Sequence, residues 1–116
     1  MSFWRSELID FALRQETEKH ICEQMEWIAR DPENATPYYN LAQLYRIEGR
    51  AEEALGLLLE AVRLDAEFAG AHVALAGMYA VKGDYPAAWK HARSAESCGN
   101  SAGIELLSRY GVATDR

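Results

Sequence analysis

An internal repeat with a period of 34 residues limits the folds open to this 116-residue chain more than any other feature of its sequence. When 35–68 is aligned with 69–102, seven positions are identical, whereas average residue usage would give about two or three. The identical pairs are Ala35/Ala69, Leu41/Leu75, Ala42/Ala76, Tyr45/Tyr79, Gly49/Gly83, Ala54/Ala88 and Ala61/Ala95. Periods of about 20–50 residues are typical of chains that stack one supersecondary unit on the next. We therefore expect a core built between stacked units.

The composition indicates that each unit is a pair of helices. Ala, Leu and Glu are frequent, β-branched residues are sparse, and only three prolines occur. Gly49 and Gly83 recur at the same place in the two units, where a left-handed residue can end a helix. Asp84 is suited to cap the next helix, with Pro86 in its first turn. The predicted helices are 3–14, 17–30, 36–48, 52–64, 70–82, 86–97 and 103–110.

The repeat resembles the tetratricopeptide repeat (TPR), with its aromatic-x2-Leu-small-x2-Tyr start, Gly turn and later Ala-x3-large and Ala positions. The first clear unit supplies Tyr38, Leu41, Ala42, Tyr45, Gly49, Ala54, Leu58 and Ala61. The second supplies His72, Leu75, Ala76, Tyr79, Gly83, Ala88, Ala92 and Ala95. The resemblance implies an all-α, right-handed α-solenoid of antiparallel helix pairs in one domain, 1–116. Its parts are a degenerate N-terminal unit at 1–34, repeats at 35–68 and 69–102, and a capping helix at 103–110.

The first 34 residues carry a fainter copy of the same pattern. The residues at signature offsets are Trp4, Leu8, Phe11 and Pro32. No glycine marks a turn near 14–17, and the large residues His20 and Trp27 occupy two positions that are small in the other units. Two interpretations remain open: a helix pair broken near Thr17, which we favour, or one long or kinked helix. Either would cover the exposed end of the next unit, as a stack requires.

Charge and hydropathy disfavour nucleic-acid and membrane partners. The net charge is −6, which leaves no basic excess for a nucleic-acid-binding face. No apolar run approaches the ~18 residues of a membrane span. Charges at Arg5, Glu7 and Asp10 interrupt the apolar run that a signal peptide needs. A cytoplasmic protein is expected, and its two cysteines, Cys22 and Cys98, are expected to be free thiols.

No catalytic or metal-binding pattern is present in the sequence. It contains no His-Glu-x-x-His, Cys-x-x-Cys or Gly-rich phosphate loop. His20 and Cys22 are two residues apart and so lie on different faces of a helix. Cys98 has no histidine nearer than His91 to activate it. We therefore expect no enzyme activity, no catalytic residues, no metal and no cofactor.

The resemblance places partner binding on a concave groove lined by the first helix of each unit. The corresponding residues are Thr36, Tyr39, Gln43 and Arg46 in one repeat, Gly70, Val73, Gly77 and Ala80 in the next, and Ser2, Arg5, Ile9 and Ala12 in the degenerate unit. The predicted partner-binding set is Arg5, Tyr39, Gln43, Arg46, Val73, Gly77 and Ala80. Tyr and Arg are good anchors, and small neighbours leave room for a guest side chain. The alternative is that this face is only solvated, or is filled by the protein's own terminal helix.

The resulting prediction is a protein–protein interaction adaptor that binds a peptide or helix in its groove. One alternative is a dedicated chaperone for an apolar, secreted client, which bacterial chaperones with small acidic repeats resemble. Another is a structural subunit that forms a homodimer through the aromatic residues of its terminal unit, Phe3, Trp4 and Trp27. Neither alternative involves catalysis.

Overall fold

The computed structural model describes the backbone of residues 2–112 and the side chains of Arg5 and residues 7–112. Its helices are α1 (Ser2–Arg30), α2 (Ala35–Ile47), α3 (Ala51–Leu64), α4 (Ala69–Lys82), α5 (Tyr85–Ser97) and α6 (Ala102–Arg109). The predicted all-α stack is confirmed, because residues 2–112 contain no strand. Each helix from α2 to α6 begins and ends within one residue of its predicted bounds.

The favoured interpretation of the N-terminal unit, a helix pair broken near Thr17, is wrong. α1 runs unbroken through 14–17, so the separate helices predicted at 3–14 and 17–30 are one. The Thr17 hydroxyl donates to the Leu13 carbonyl at 3.0 Å, and His20 lies 3.2 Å from Glu16 and 3.3 Å from Glu23. These contacts support helix on both sides of the expected turn. With no glycine there to reverse the chain, the helix continues.

The turns inside the two repeats follow the predicted chemistry. Gly49 and Gly83 have φ of 78° and 85°, the left-handed conformation that ends a helix. The Asp84 side chain accepts a hydrogen bond from the Ala87 amide at 3.2 Å, which caps α5 as expected. These signals keep the loops between paired helices short, so the helices of each pair pack as antiparallel neighbours.

Alanines at the helix crossings form the centre of the stack. Each helix from α1 to α6 packs against the next one along the chain, and α6 also packs on α4. The repeat-equivalent alanines are fully buried: Ala42, Ala54, Ala61, Ala76, Ala88 and Ala95. Small side chains at these points allow the helix axes to approach closely. Leu58, Leu75 and Leu107 fill the space between them and are almost completely buried.

The N-terminal half of α1 extends beyond the stack. At about 1.5 Å per residue, the 29 residues of α1 span about 43 Å, against about 20 Å for the 13 residues of its neighbour α2. Only the C-terminal half of α1 therefore has α2 beside it, where Ile21 is buried and Ile28 packs against the core. Arg5 and residues 7–16 are all exposed. The described chain is correspondingly elongated, with extents of 54 × 39 × 22 Å.

Candidate functional site

The predicted face of α2 is a line of side chains joined by hydrogen bonds. The Gln43 amide donates to the Tyr39 hydroxyl at 3.3 Å, and its carbonyl oxygen accepts from Arg46 at 2.9 Å. The Tyr39 ring packs against Phe68, with centroids 5.0 Å apart. The structure thus brings Tyr39, Gln43 and Arg46 together on one face, as their spacing of four and three residues predicts.

Arg46 is the positive charge on this face that lacks a carboxylate. It is exposed, and within the described part of the chain it forms no salt bridge. Lys82 differs, because its ammonium group lies 2.8 Å from Glu52, and this hydrogen bond raises the pKa of Lys82. The guanidinium of Arg46 therefore has donors left for a carboxylate from outside the chain.

An open pocket of about 230 Å³ lies where the C-terminal ends of α2 and α4 meet the start of α3. It is lined by Arg46, Ala51, Glu52, Leu55, Gly77, Met78, Val81 and Lys82. Most of this lining is apolar, whereas the charged groups of Arg46, Glu52 and Lys82 are polar. Such a mixture suits an apolar side chain that is flanked by a polar or charged group.

A second pocket, of about 270 Å³, lies between α4 and α6. It is lined by Gly77, Ala80, Val81, Leu106, Leu107, Tyr110 and Val112. Gly77 and Val81 line both pockets, so the two pockets adjoin along α4. We call them together the α4 groove. Of the two alternatives for the predicted face, an open groove holds beside α2, whereas α6 fills part of the space beside α4.

The approach of α6 depends on the absence of a side chain at Gly77. A β-carbon placed at Gly77 would lie 3.8 Å from Cδ2 of Leu106, which is ordinary van der Waals contact. The site therefore tolerates Ala, whereas a larger side chain would meet Leu106 or fill the groove. Val73 and Ala80 are partly buried on the same helix, one turn to either side of Gly77. Val73, Gly77 and Ala80 therefore lie together along one side of α4.

Sequence reasoning missed the most exposed apolar residues of the site. Ile47, Val81 and Tyr110 are 76%, 90% and 72% exposed at the C-terminal ends of α2, α4 and α6. Ile47 and Val81 are exactly one repeat apart, and the period could have identified them as a pair because both are β-branched. Packing does not require such exposure, since both lie at the last turns of their helices. They enlarge the apolar surface beside Arg46 and Gly77.

The remaining predicted residues lie away from the α4 groove. Arg5 is exposed on the free half of α1, about 8 Å along the helix before residue 10, where α1 begins to border Ile47. Trp27 is partly buried on the C-terminal half of α1. The side chains of Phe3 and Trp4 lie outside the described residues. The structure therefore does not bring Arg5 together with the residues of α2 and α4.

Two further features of the described residues bear on function. No group of three or more His, Cys, Asp and Glu side chains among them is arranged to hold a metal ion. None of the helices formed by residues 2–112 combines the length and the apolar character that crossing a bilayer requires.

Comparison with known proteins identifies the repeat. A family model described as a tetratricopeptide repeat matches residues 24–56, from the C-terminal part of α1 through α2 and into α3. A TPR repeat-containing thioredoxin of Arabidopsis thaliana is 36% identical over 80 residues. The match covers 69% of this chain and 12% of that protein, so the chain is similar to a small part of its relative. The family match begins inside α1, where its C-terminal half packs on α2 as the second helix of a repeat would.

Proposed function

The chain belongs to the tetratricopeptide-repeat family, whose repeats generally mediate protein–protein interaction, and we propose that it is a non-catalytic adaptor that binds a segment of another protein in the α4 groove. One observation carries this proposal. Two adjoining apolar pockets share Gly77 and Val81, and Arg46 at their edge has no carboxylate partner among the described residues.

The groove suggests the chemistry of the segment. Its pockets of about 230 and 270 Å³ can each receive a medium apolar side chain such as Leu, Ile or Met. Arg46 presents a planar fork of donors that suits a carboxylate. The proposed guest is therefore a helix or extended segment with two apolar side chains and one Asp or Glu nearby. The chain's own net charge of −6 would disfavour a strongly acidic partner away from this point.

The chaperone alternative remains a prediction of the sequence, as does the cytoplasmic location. A chaperone for an apolar client would suppress aggregation of many unrelated unfolded proteins, whereas an adaptor of this kind would select one sequence pattern. The two functions are therefore separated by asking whether binding depends on the sequence of a short peptide.

A displayed library of random peptides of about 12–16 residues tests the proposal, because it needs no known partner. The wild-type chain and Val81→Gln would be panned in parallel. Val81 is 90% exposed, so its replacement leaves the core intact. We expect the wild type to enrich peptides with two apolar residues and an acidic one, and Val81→Gln to enrich them poorly. Equal enrichment by both proteins, or no consensus from either, would contradict a binding site in the α4 groove.

A further inference from the structure

The free half of α1 carries apolar side chains that nothing in the described chain covers. Leu8 and Phe11 are 65% and 56% exposed, and their spacing of three residues puts them on one face of the helix. At about 100° per residue, this face points about 140° away from the side on which Ile21 and Ile28 pack towards α2. It therefore belongs neither to the core nor to the contact with α2.

We propose that a second copy of this chain docks on this face, so that two α1 helices pair in antiparallel orientation around Leu8 and Phe11. In the register that sets Leu8 opposite Phe11 of the second copy, the two-fold axis passes between these residues. The same contact is then made twice, as a symmetric dimer requires. Four large apolar side chains leave water in this arrangement, two from each copy.

The charges beside the apolar face select this partner and this orientation. Glu7 and Arg14 both lie on one flank of the Leu8 and Phe11 stripe, at the positions that face each other in an antiparallel pair. Each Glu7 then lies beside Arg14 of the other copy, and the dyad produces two such ion pairs. Neither residue has a salt bridge within the described chain. Both are therefore available to the second copy.

A parallel pairing of the same helices is less favourable. It would set Arg14 against Lys19 of the second copy and Glu7 against Ala12, so that one flank would be repulsive and no ion pair would form. The antiparallel pair converts the same residues into two attractive contacts. The face is thus complementary to itself in one orientation, which argues for a second copy rather than for an unrelated helix.

The surface is separate from the α4 groove, so this inference does not rest on the proposed function. It also differs from self-association through Phe3, Trp4 and Trp27, because it is centred on Leu8 and Phe11. Since the apolar stripe is short, we expect a dissociation constant on the order of 1–100 μM.

Sedimentation equilibrium of the full chain over a range of concentrations tests the dimer. We expect a monomer–dimer equilibrium for the wild type, and Leu8→Gln should weaken it by about tenfold or more. Leu13→Gln is the matched control, because Leu13 is 60% exposed on the same helix but faces the side of Ile47. It should leave the equilibrium unchanged. Circular dichroism confirms that each variant remains folded.

Charge exchange tests the register. E7R and R14E each replace both ion pairs by like-charge contacts and should weaken the dimer by about three- to tenfold. The double variant E7R/R14E restores opposite charges and should return the dissociation constant to within about twofold of the wild type. A wild-type chain that stays monomeric at about 0.5 mM overturns the proposal. So does a dimer that Leu8→Gln leaves intact, or one that the double variant fails to restore.

Discussion

Nδ1 of His72 on α4 lies 3.0 Å from Nδ1 of His91 on α5, so a direct imidazole–imidazole hydrogen bond joins the two helices of the second repeat. Nε2 of His72 lies 2.8 Å from the Ala66 carbonyl, which can only accept a hydrogen bond. His72 therefore carries its proton on Nε2 and accepts at Nδ1, and His91 donates from Nδ1. The Tyr79 ring stacks on His91 with centroids 5.6 Å apart.

This arrangement predicts that stability falls in mild acid. Burial, together with the neighbouring His72 and Lys90, lowers the pKa of His91 to about 4 from an ordinary 6.5. Between these two values the unfolded chain binds a proton at His91 that the folded chain does not. Protonation therefore favours unfolding, and the stability should decrease as the pH falls from 6.5 to 4. Urea unfolding at several pH values measures this decrease.

The contribution of His91 can be separated from that of the carboxylates, which also titrate below pH 5. His91→Gln keeps a hydrogen-bond donor but removes the titrating group, so its stability should depend less steeply on pH across this window. His20→Gln provides the control, because the His20 side chain is 45% exposed on α1. Equal pH slopes for wild type and His91→Gln would contradict the assigned role of His91.

Overpacking should separate the helices of a repeat. Ala54 and Ala88 are fully buried at equivalent crossings of the two repeats. Ala54→Leu and Ala88→Leu should each lower the free energy of unfolding by about 1–3 kcal/mol, because the added atoms force the paired helices apart. Ala29→Leu makes the same change on the exposed surface of α1 and should shift it by less than about 0.5 kcal/mol. Chemical denaturation compares the three, and equal effects would contradict these crossing sites.

Two helical glycines should respond to substitution with opposite sign. A β-carbon at Gly103 would lie 3.2 Å from Cα of Ala92, so Gly103→Val should push α6 away and lower the free energy of unfolding by about 1–3 kcal/mol. Gly56 has no atom within 4 Å of its β-carbon position. Gly56→Ala should therefore raise the free energy of unfolding by about 0.5–1 kcal/mol through helix propensity alone. Thermal melting followed by circular dichroism measures both, and a stabilising Gly103→Val would contradict the close contact between α5 and α6.

The sequence predicted the repeats well because local signals and packing agree there. Gly49, Gly83 and Asp84 mark turns and caps, and the 34-residue spacing repeats the buried alanines. The N-terminal unit was predicted less well, because its faint signature offsets favoured a helix pair. The residues at 14–17 contain no helix breaker, and local contacts of Thr17 and His20 continue the helix.

The site could be predicted only in part. The spacing of Tyr39, Gln43 and Arg46 places them on one helix face whatever the tertiary packing. The contribution of α6 depends on how Leu106 meets Gly77 across the stack, which no local pattern encodes. Arg5 was expected in the groove because a folded-back helix was assumed, and the straight α1 carries it away from α2.

Calorimetric titration of a peptide selected from the displayed library tests the central claim, that the α4 groove binds a protein segment, most directly. The peptide would be titrated into the wild type, Arg46→Glu, Gly77→Leu and Lys90→Glu. The last reverses an exposed charge on α5 and serves as the control. We predict that Arg46→Glu weakens binding by about 1–3 kcal/mol, that Gly77→Leu abolishes it, and that Lys90→Glu leaves it unchanged. Thermal melting confirms folding of each variant. Unchanged affinity in both Arg46→Glu and Gly77→Leu would contradict the claim.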